Sequence, residues 1–251
     1  MNEVIKTLHN LRSTHGDFSQ KEVSDEDLKT ILDACVCAAN ASARQAYSVV
    51  VVKDRQRIKN EFAYEGSKAL LFCVDYTRIY DMAGALEKEF DAEGILSFIT
   101  GATDTFLAAQ TAAIAARSLG IDSLFTNSIY RRDIDSLYDA FKLPQKYCFP
   151  LIALILGYAE SEPAYQKGRI SGAGIIHFDE YRSLEDADVQ NLIAQYDQRE
   201  NNLGLIQDWE KQGFKHYLDW FYTSWCEKMD IKKEKEVYDI LERAAFIERT
   251  F

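Results

Sequence analysis

The sequence predicts a sheet with helices on both sides, an α/β or α+β fold, and three observations carry that expectation. The apolar runs 69–74 and 151–156 show no alternation, as strands covered on both faces do. Segments of helical periodicity separate the strand-like runs, and the alternation contains no internal repeat. Residues 104–119 form a helix apolar nearly all round, which belongs in an interior.

The elements follow in order. Val4, Ile5, Leu8 and Leu11 share one side of a short helix, which Gly16 ends soon after. Ser24 opens a capping box with Asp27, and Leu28, Ile31, Leu32 and Cys35 repeat at helical spacing as far as about Ala39. The β-branched run 49–52, stopped by Lys53 and Asp54, reads as a buried strand, and 69–74, stopped by Asp75, as a second. Residues 77–90 are helical by composition. In 104–119, Phe106, Leu107, Ile114, Leu119 and a series of alanines leave a thin polar stripe of Asp104, Thr111 and Ser118, with Gln110 and Arg117 beside it; Gly120 closes the helix. Leu124 and Phe125 mark a short strand, 131–141 a helix stopped by Pro144, and 151–156 a central strand.

After Tyr181 the segments 183–196, 205–229 and 234–245 all read as helices. The middle one carries Trp209, Phe214, Tyr217, Trp220, Phe221, Tyr222 and Trp225, aromatic area expected to pack on the core or on a second subunit. No linker rich in Pro, Gly or Ser precedes this region. The chain is therefore divided into a core, 1–181, and a helical C-terminal extension, 182–251.

Composition narrows the function. The formal net charge of −11 repels phosphate backbones and anionic lipid, which argues against nucleic-acid and membrane partners. The five cysteines are odd in number and irregular in spacing, as expected of reduced thiols rather than a disulfide framework. With no apolar signal core and no run of the roughly 20 residues a bilayer span needs, a soluble, cytoplasmic protein is expected. The histidines are scattered and make no metal-ligand pattern, and the usual nucleophile, Walker A and dinucleotide signatures are missing.

Three polar clusters remain. Arg12, Ser13 and His15 end the first helix; Lys167, Gly168 and Arg169 follow the strand ending at Gly157; Asn40, Ser42 and Gln45 lie in a loop before the first strand. Arg12, Lys167 and Arg169, with the Ser13 hydroxyl and His15, have the donors that a phosphate dianion needs. Three cations in two loops are more often plain solvated surface, and the loop has the alternative reading of an ordinary turn.

At these clusters the chain resembles the nitroreductase/flavin reductase family. The resemblance is carried by Arg12-Ser13-Thr14-His15, with histidine in place of a second arginine; by Asn40 to Gln45 ahead of the first strand; by Asp104-Thr105, Ala108-Ala109-Gln110 and Ser118-Leu119-Gly120; and by Leu143-Pro144, Leu156-Gly157, Lys167-Gly168-Arg169 and Ile176-His177. Their order and spacing hold over residues 1–181, while Gln195-Tyr196-Asp197 and a hydrophobic C-terminus resemble the larger, flavin reductase-like branch.

The resemblance implies an α+β nitroreductase-like fold, with a central mixed sheet flanked by helices in a domain-swapped homodimer, and FMN bound between subunits. Arg12, Ser13, His15, Lys167 and Arg169 would hold its phosphate and ribityl chain. Asn40, Ser42 and Gln45 would line the ring or ribityl, Thr126, Asn127 and Ser128 would offer backbone groups near the ring, and Lys68 would flank the pyrimidine edge. Histidine for arginine exchanges a permanent charge for a titratable one. No catalytic side chain is expected, because FMN carries the redox chemistry. NADH or NADPH would reduce it, and a nitroaromatic, quinone or flavin-type acceptor would reoxidise it by ping-pong hydride transfer. The alternative is a non-catalytic flavin-binding or regulatory module on the same scaffold.

Overall fold

A computed structural model describes residues 1–226 and 230–248. In chain order its elements are α1 (Glu3–His9), α2 (Asp25–Cys35), β1 (Tyr47–Val52), α3 (Arg55–Phe62), β2 (Lys68–Asp75), α4 (Thr77–Ala85), α5 (Ile95–Ser118), β3 (Asp122–Thr126), α6 (Ile134–Phe141), β4 (Cys148–Gly157), α7 (Asp186–Asp197), α8 (Tyr217–Trp220) and α9 (Ile231–Arg243). Helix starts are set by side chains that accept the free backbone N–H groups: Ser24 caps α2 and Asp54 caps α3. The α3 helix was not expected from the sequence; its signals are the Asp54 cap and the buried pair Ile58 and Phe62, one turn apart.

The strands form one sheet in the order β1-β2-β4-β3. Every ladder is antiparallel, with Val50 opposite Leu71, Leu71 opposite Ala153 and Leu154 opposite Phe125. The expected mixed sheet is therefore corrected to an antiparallel one. Absence of alternation reports burial on both faces, not strand direction, and here both faces are covered. Leu70, Phe72, Leu154 and Leu156 point to a core shared with Leu28, Ile31, Ala108, Ala112 and Ala116 of α2 and α5. Leu71, Cys73, Ala153 and Ile155 point to the other core, with Phe62, Tyr138, Phe149, Ile240 and Phe246. At Gly101 a β-carbon would lie 2.6 Å from Val74 Cγ1, so glycine there lets α5 approach β2 closely.

The α5 helix begins well before the expected Asp104 and is not buried all round. Leu96, Ile99, Phe106 and Leu107 leave an apolar stripe exposed. Asp104, expected on a polar stripe, is instead buried.

The chain folds as two compact units: Met1–Glu162 with the chain from Asp230 onward, and the intervening segment from Pro163. The expected division into 1–181 and 182–251 follows a change in composition. Packing draws the line elsewhere, because Val237, Ile240 and Leu241 of α9 lie against the sheet core.

In the second unit the expected 205–229 helix is corrected to separate pieces: a 3-10 turn at Trp209–Gln212, α8, and a wide turn at Phe221–Trp225. Gly213, at φ +86°, ends the first piece, and a reciprocal cap between His216 and Asp219 starts the second. Residues 227–229 of that expected helix, and 249–251 of the hydrophobic C-terminus, lie outside the described residues. Trp209, Tyr217 and Trp220 form this unit's own apolar centre, ringed by Tyr196, Phe214 and Phe221.

Candidate functional site

The polar clusters sit at particular ends of the sheet. After α1 the chain runs alongside the edge strand β3, where Ser13 bridges to Ser123 and the Thr14 N–H donates to the Ser123 carbonyl at 3.0 Å. That pairing sets Arg12 against Asp122. Arg12 Nε and Nη2 donate to the two carboxylate oxygens of Asp122 at 2.7 and 3.1 Å, and the outer edge of the guanidinium holds Glu162. Asp122 also accepts from Arg117 Nη1 at 2.9 Å and from the Ala159 N–H at 3.1 Å.

Burial alone would raise the Asp122 pKa. The Arg12 hydrogen bonds, the Ala159 N–H and the two nearby guanidinium charges outweigh it and hold the carboxyl below the usual range. The Arg12 guanidinium is held still more firmly in its charged form by Glu162 and Asp122. Neither carboxylate was singled out from the sequence: the five-residue step from Arg117 to Asp122 matches no helical spacing, and Glu162 is distant in the chain.

Ser13 and His15 are exposed beside Arg12, and the His15 ring meets Tyr64 edge-on at 6.5 Å between centroids. Lys68 is buried at the start of β2, with its Nζ 2.8 Å from Glu22. Glu22 also accepts from the Ser67 hydroxyl at 2.6 Å and from Arg55, and Lys68, Ser67 and Arg55 together pull its pKa down to about 2 against a smaller burial effect. Thr126 and Ser128 are buried and turned inward: the Ser128 N–H donates to Thr126 Oγ1, and the Ser128 hydroxyl to the Phe62 carbonyl. Asn127 between them is exposed. Arg12, Ser13, His15, Lys68 and the 126–128 turn thus gather around β3 and the α3–β2 loop.

Asn40, Ser42 and Gln45 do not join them. Asp104 accepts from the Ala41 and Ala46 N–H groups at 2.8 and 3.1 Å, and so pins this loop to α5. Asn40 Oδ1 accepts from the Gln45 N–H, Gln45 Nε2 donates to the Val36 carbonyl, and the Gln45 carbonyl accepts from Arg78 at 2.7 Å. Ser42, Ala43 and Gln45 all take positive φ, at 55°, 55° and 48°, strain that the surrounding bonds must sustain. The Ala46 carbonyl accepts from the Asp75 N–H; Asp75 pairs with Cys148, while Asp122 pairs with Gly157. The loop and Arg12 are therefore separated by the length of β4, on the order of 30 Å at ~3.3 Å per residue.

Comparison with known proteins places this arrangement. No family profile matches the chain. The FMN reductase [NAD(P)H] of Bacillus subtilis (strain 168) is 29% identical over 258 residues, covering 94% of this chain and 100% of the relative. The structure of B. megaterium NfrA2 superposes with a TM-score of 0.81 at 25% identity, over 99% of this chain and 100% of that one. Nitroreductase A from Vibrio parahaemolyticus, at 20% identity, shares the fold with a TM-score of 0.79 over 99% of this chain and 100% of that one. The chain has the nitroreductase fold and is similar in sequence to an FMN reductase.

The remaining expected residues, Lys167 and Arg169, lie in the second unit. Lys167 Nζ donates to the Gly204 carbonyl, and Arg169 Nη1 to the carbonyls of Lys167 and Gly168 at 3.2 and 2.8 Å. Between them Gly168 is indispensable, since a β-carbon would fall 2.0 Å from the Asn201 carbonyl oxygen. Arg199 is paired with Glu210 and lies over the Trp209 ring. The nitroreductase core also has an open apolar cleft between α9 and β4, lined by Phe98, Phe149, Leu151, Val237 and Leu241, which includes none of the residues expected to hold a flavin. Among the described residues no group of His, Cys, Asp and Glu could hold a metal ion, and no helix is long and apolar enough to cross a membrane.

Proposed function

We propose that the chain is an FMN-dependent NAD(P)H oxidoreductase that works as a homodimer. The observation that carries this reading is the outer edge of Arg12. It already grips an anion, the Glu162 carboxylate, with the exposed Ser13 hydroxyl and His15 beside it. A site whose donors hold a carboxylate in a fork has the chemistry to hold a phosphate. Homology to an FMN reductase along nearly the whole chain supports FMN as the phosphate's bearer.

In this reading Arg12, Ser13 and His15 hold the FMN phosphate. Lys68, ion-paired with Glu22, would stand at the pyrimidine edge. Asn127, flanked by Thr126 and Ser128, faces the ring. The chemistry the flavin supplies is hydride transfer in two half-reactions, from NADH or NADPH and then to a nitroaromatic, quinone or flavin-type acceptor in the same pocket. The protein's task is to fix the ring so that each partner meets it in a reactive pose.

Distance supports the homodimer. The Asn40, Ser42 and Gln45 loop is a full strand length from Arg12, farther than one flavin nucleotide reaches. A flavin lined by both must take the loop from a second copy. The exposed stripe of Leu96, Ile99, Phe106 and Leu107 on α5 supports such a partner, since a contiguous apolar face seeks cover.

Two measurements test this. The purified protein is expected to show a flavin spectrum that bleaches on anaerobic addition of NADH or NADPH. A colourless protein that FMN does not stabilise overturns the cofactor, and a yellow one that neither donor bleaches overturns the enzyme. Light scattering is expected to give the mass of two chains; a monomer that binds FMN tightly overturns the shared site.

A further inference from the structure

Glu162 holds no flavin in the reading above, yet it occupies the one group that reading most depends on. A guanidinium offers two forked edges. The inner edge of Arg12 is committed to Asp122, whose side chain is only 6% exposed and is further fastened by Arg117 and the Ala159 N–H. The outer edge is committed to Glu162, whose side chain is 82% exposed and whose hydrogen bonds go to Arg12. Arg12 itself is 14% exposed, so the fork is held in place while its outer partner is free to leave.

We propose that Glu162 is an exchangeable internal anion. It closes the outer edge of Arg12 until the phosphate of an incoming ligand displaces it, so that a phosphorylated ligand binds in competition with the chain's own carboxylate. This rests on the reading of Arg12 as the phosphate ligand.

The charges favour the exchange. Two guanidinium groups, Arg12 and Arg117, face two carboxylates, Asp122 and Glu162, and the cluster is formally neutral. Release of Glu162 leaves it with one net positive charge at the moment an anion arrives. An exposed carboxylate returns to water at little cost, whereas the buried Asp122 could not. A phosphate dianion brings more charge and more acceptor oxygens to the same fork than one carboxylate does. A neutral ring without a phosphate has nothing with which to displace Glu162, and in a chain of net charge −11 the closed latch leaves no bare cation there to attract stray anions.

The test compares wild type with Glu162→Gln and Glu162→Ala, each as the full chain freed of flavin. Titration with FMN and with riboflavin is read by flavin fluorescence. Both variants are expected to bind FMN roughly fivefold tighter than wild type, the scale of one exposed ion pair, with riboflavin unchanged. If wild type binds FMN and neither variant binds it more tightly, or if riboflavin tightens equally, the exchange is overturned while the flavin reading stands. If no protein binds FMN, the flavin reading fails, and inorganic phosphate followed by thermal shift decides the latch. Greater stabilisation of Glu162→Gln than of wild type sustains it as a general anion site, and equal responses overturn it.

Discussion

The two ends of the antiparallel sheet hold their polar segments in opposite ways. At the Gly157 end, cations are matched with carboxylates: Arg12 with Asp122 and Glu162, Lys68 with Glu22. At the end where β1 begins, one buried carboxylate, Asp104, accepts backbone N–H groups from both sides of a loop that carries three positive φ angles. The first arrangement is titratable, and its exposed members can exchange partners. The second is a backbone shape fixed in advance, with no exposed ion pair to lose. A flavin site assembled from both ends would join an adjustable phosphate grip to a rigid lining for the ring.

The largest expected effect breaks the rigid end. Asp104→Ala removes the carboxylate that accepts from the Ala41 and Ala46 N–H groups and leaves both without it beside a packed helix. Ala46 is buried and Ala41 half-buried; a buried donor left unpaired costs about 1–3 kcal/mol, so a loss on the order of 3 kcal/mol is expected, or roughly 10 °C in Tm for a chain this long. Thermal melting checks it. Hydrogen exchange should show protection lost first across 40–46, because Asp104 ties both sides of the loop to α5. A variant that melts with wild type would mean that the loop is held by Arg78 and Val36 instead, and that the contrast between the two ends is false.

What the sequence made legible divides along the same lines. The strands and the capped α2 helix were readable because burial on both faces leaves unalternating apolar runs and a cap leaves a local signature at Ser24. Strand direction was not readable, since the same runs suit either direction. Asp104 was visible as part of a polar stripe, but its two backbone partners lie some 60 residues earlier, and nothing local marks them. The aromatic segment after Leu205 shows the opposite failure: its composition is helical, and the breaks come from a single left-handed glycine, Gly213, and a cap three residues later.

Of the candidate site, Arg12, Ser13 and His15 stood out as one cluster and proved to share one strand edge. Their carboxylate partners did not stand out, because ion pairing across more than 100 residues has no sequence period. Thr126, Asn127 and Ser128 were expected to offer backbone groups near the ring; the Thr126 and Ser128 side chains are turned inward, on the Ser128 N–H and the Phe62 carbonyl.

A smaller effect sharpens the comparison by titrating the adjustable end. Glu22 is drawn from the ordinary glutamate value of 4.5 to about 2 by hydrogen bonds from Lys68 and Ser67, with Arg55 adding to them. A carboxylate with a depressed folded-state pKa contributes stability that is present in full above the unfolded value and disappears as pH falls through the folded one. The window here is pH 4.5 down to 2. Glu22→Gln keeps the shape but removes the charge, and leaves the buried Lys68 ammonium without its carboxylate. Urea midpoints are therefore expected to be lower for Glu22→Gln at pH 7, and the gap should narrow steadily below pH 4.5 until the two proteins converge near pH 2. Asp122, which is also depressed, is present in both proteins, so the difference between the curves isolates Glu22. A gap that stays constant through that window would mean that Lys68 is held by packing rather than by its partner's charge, and the Gly157 end would then be as rigid as the other.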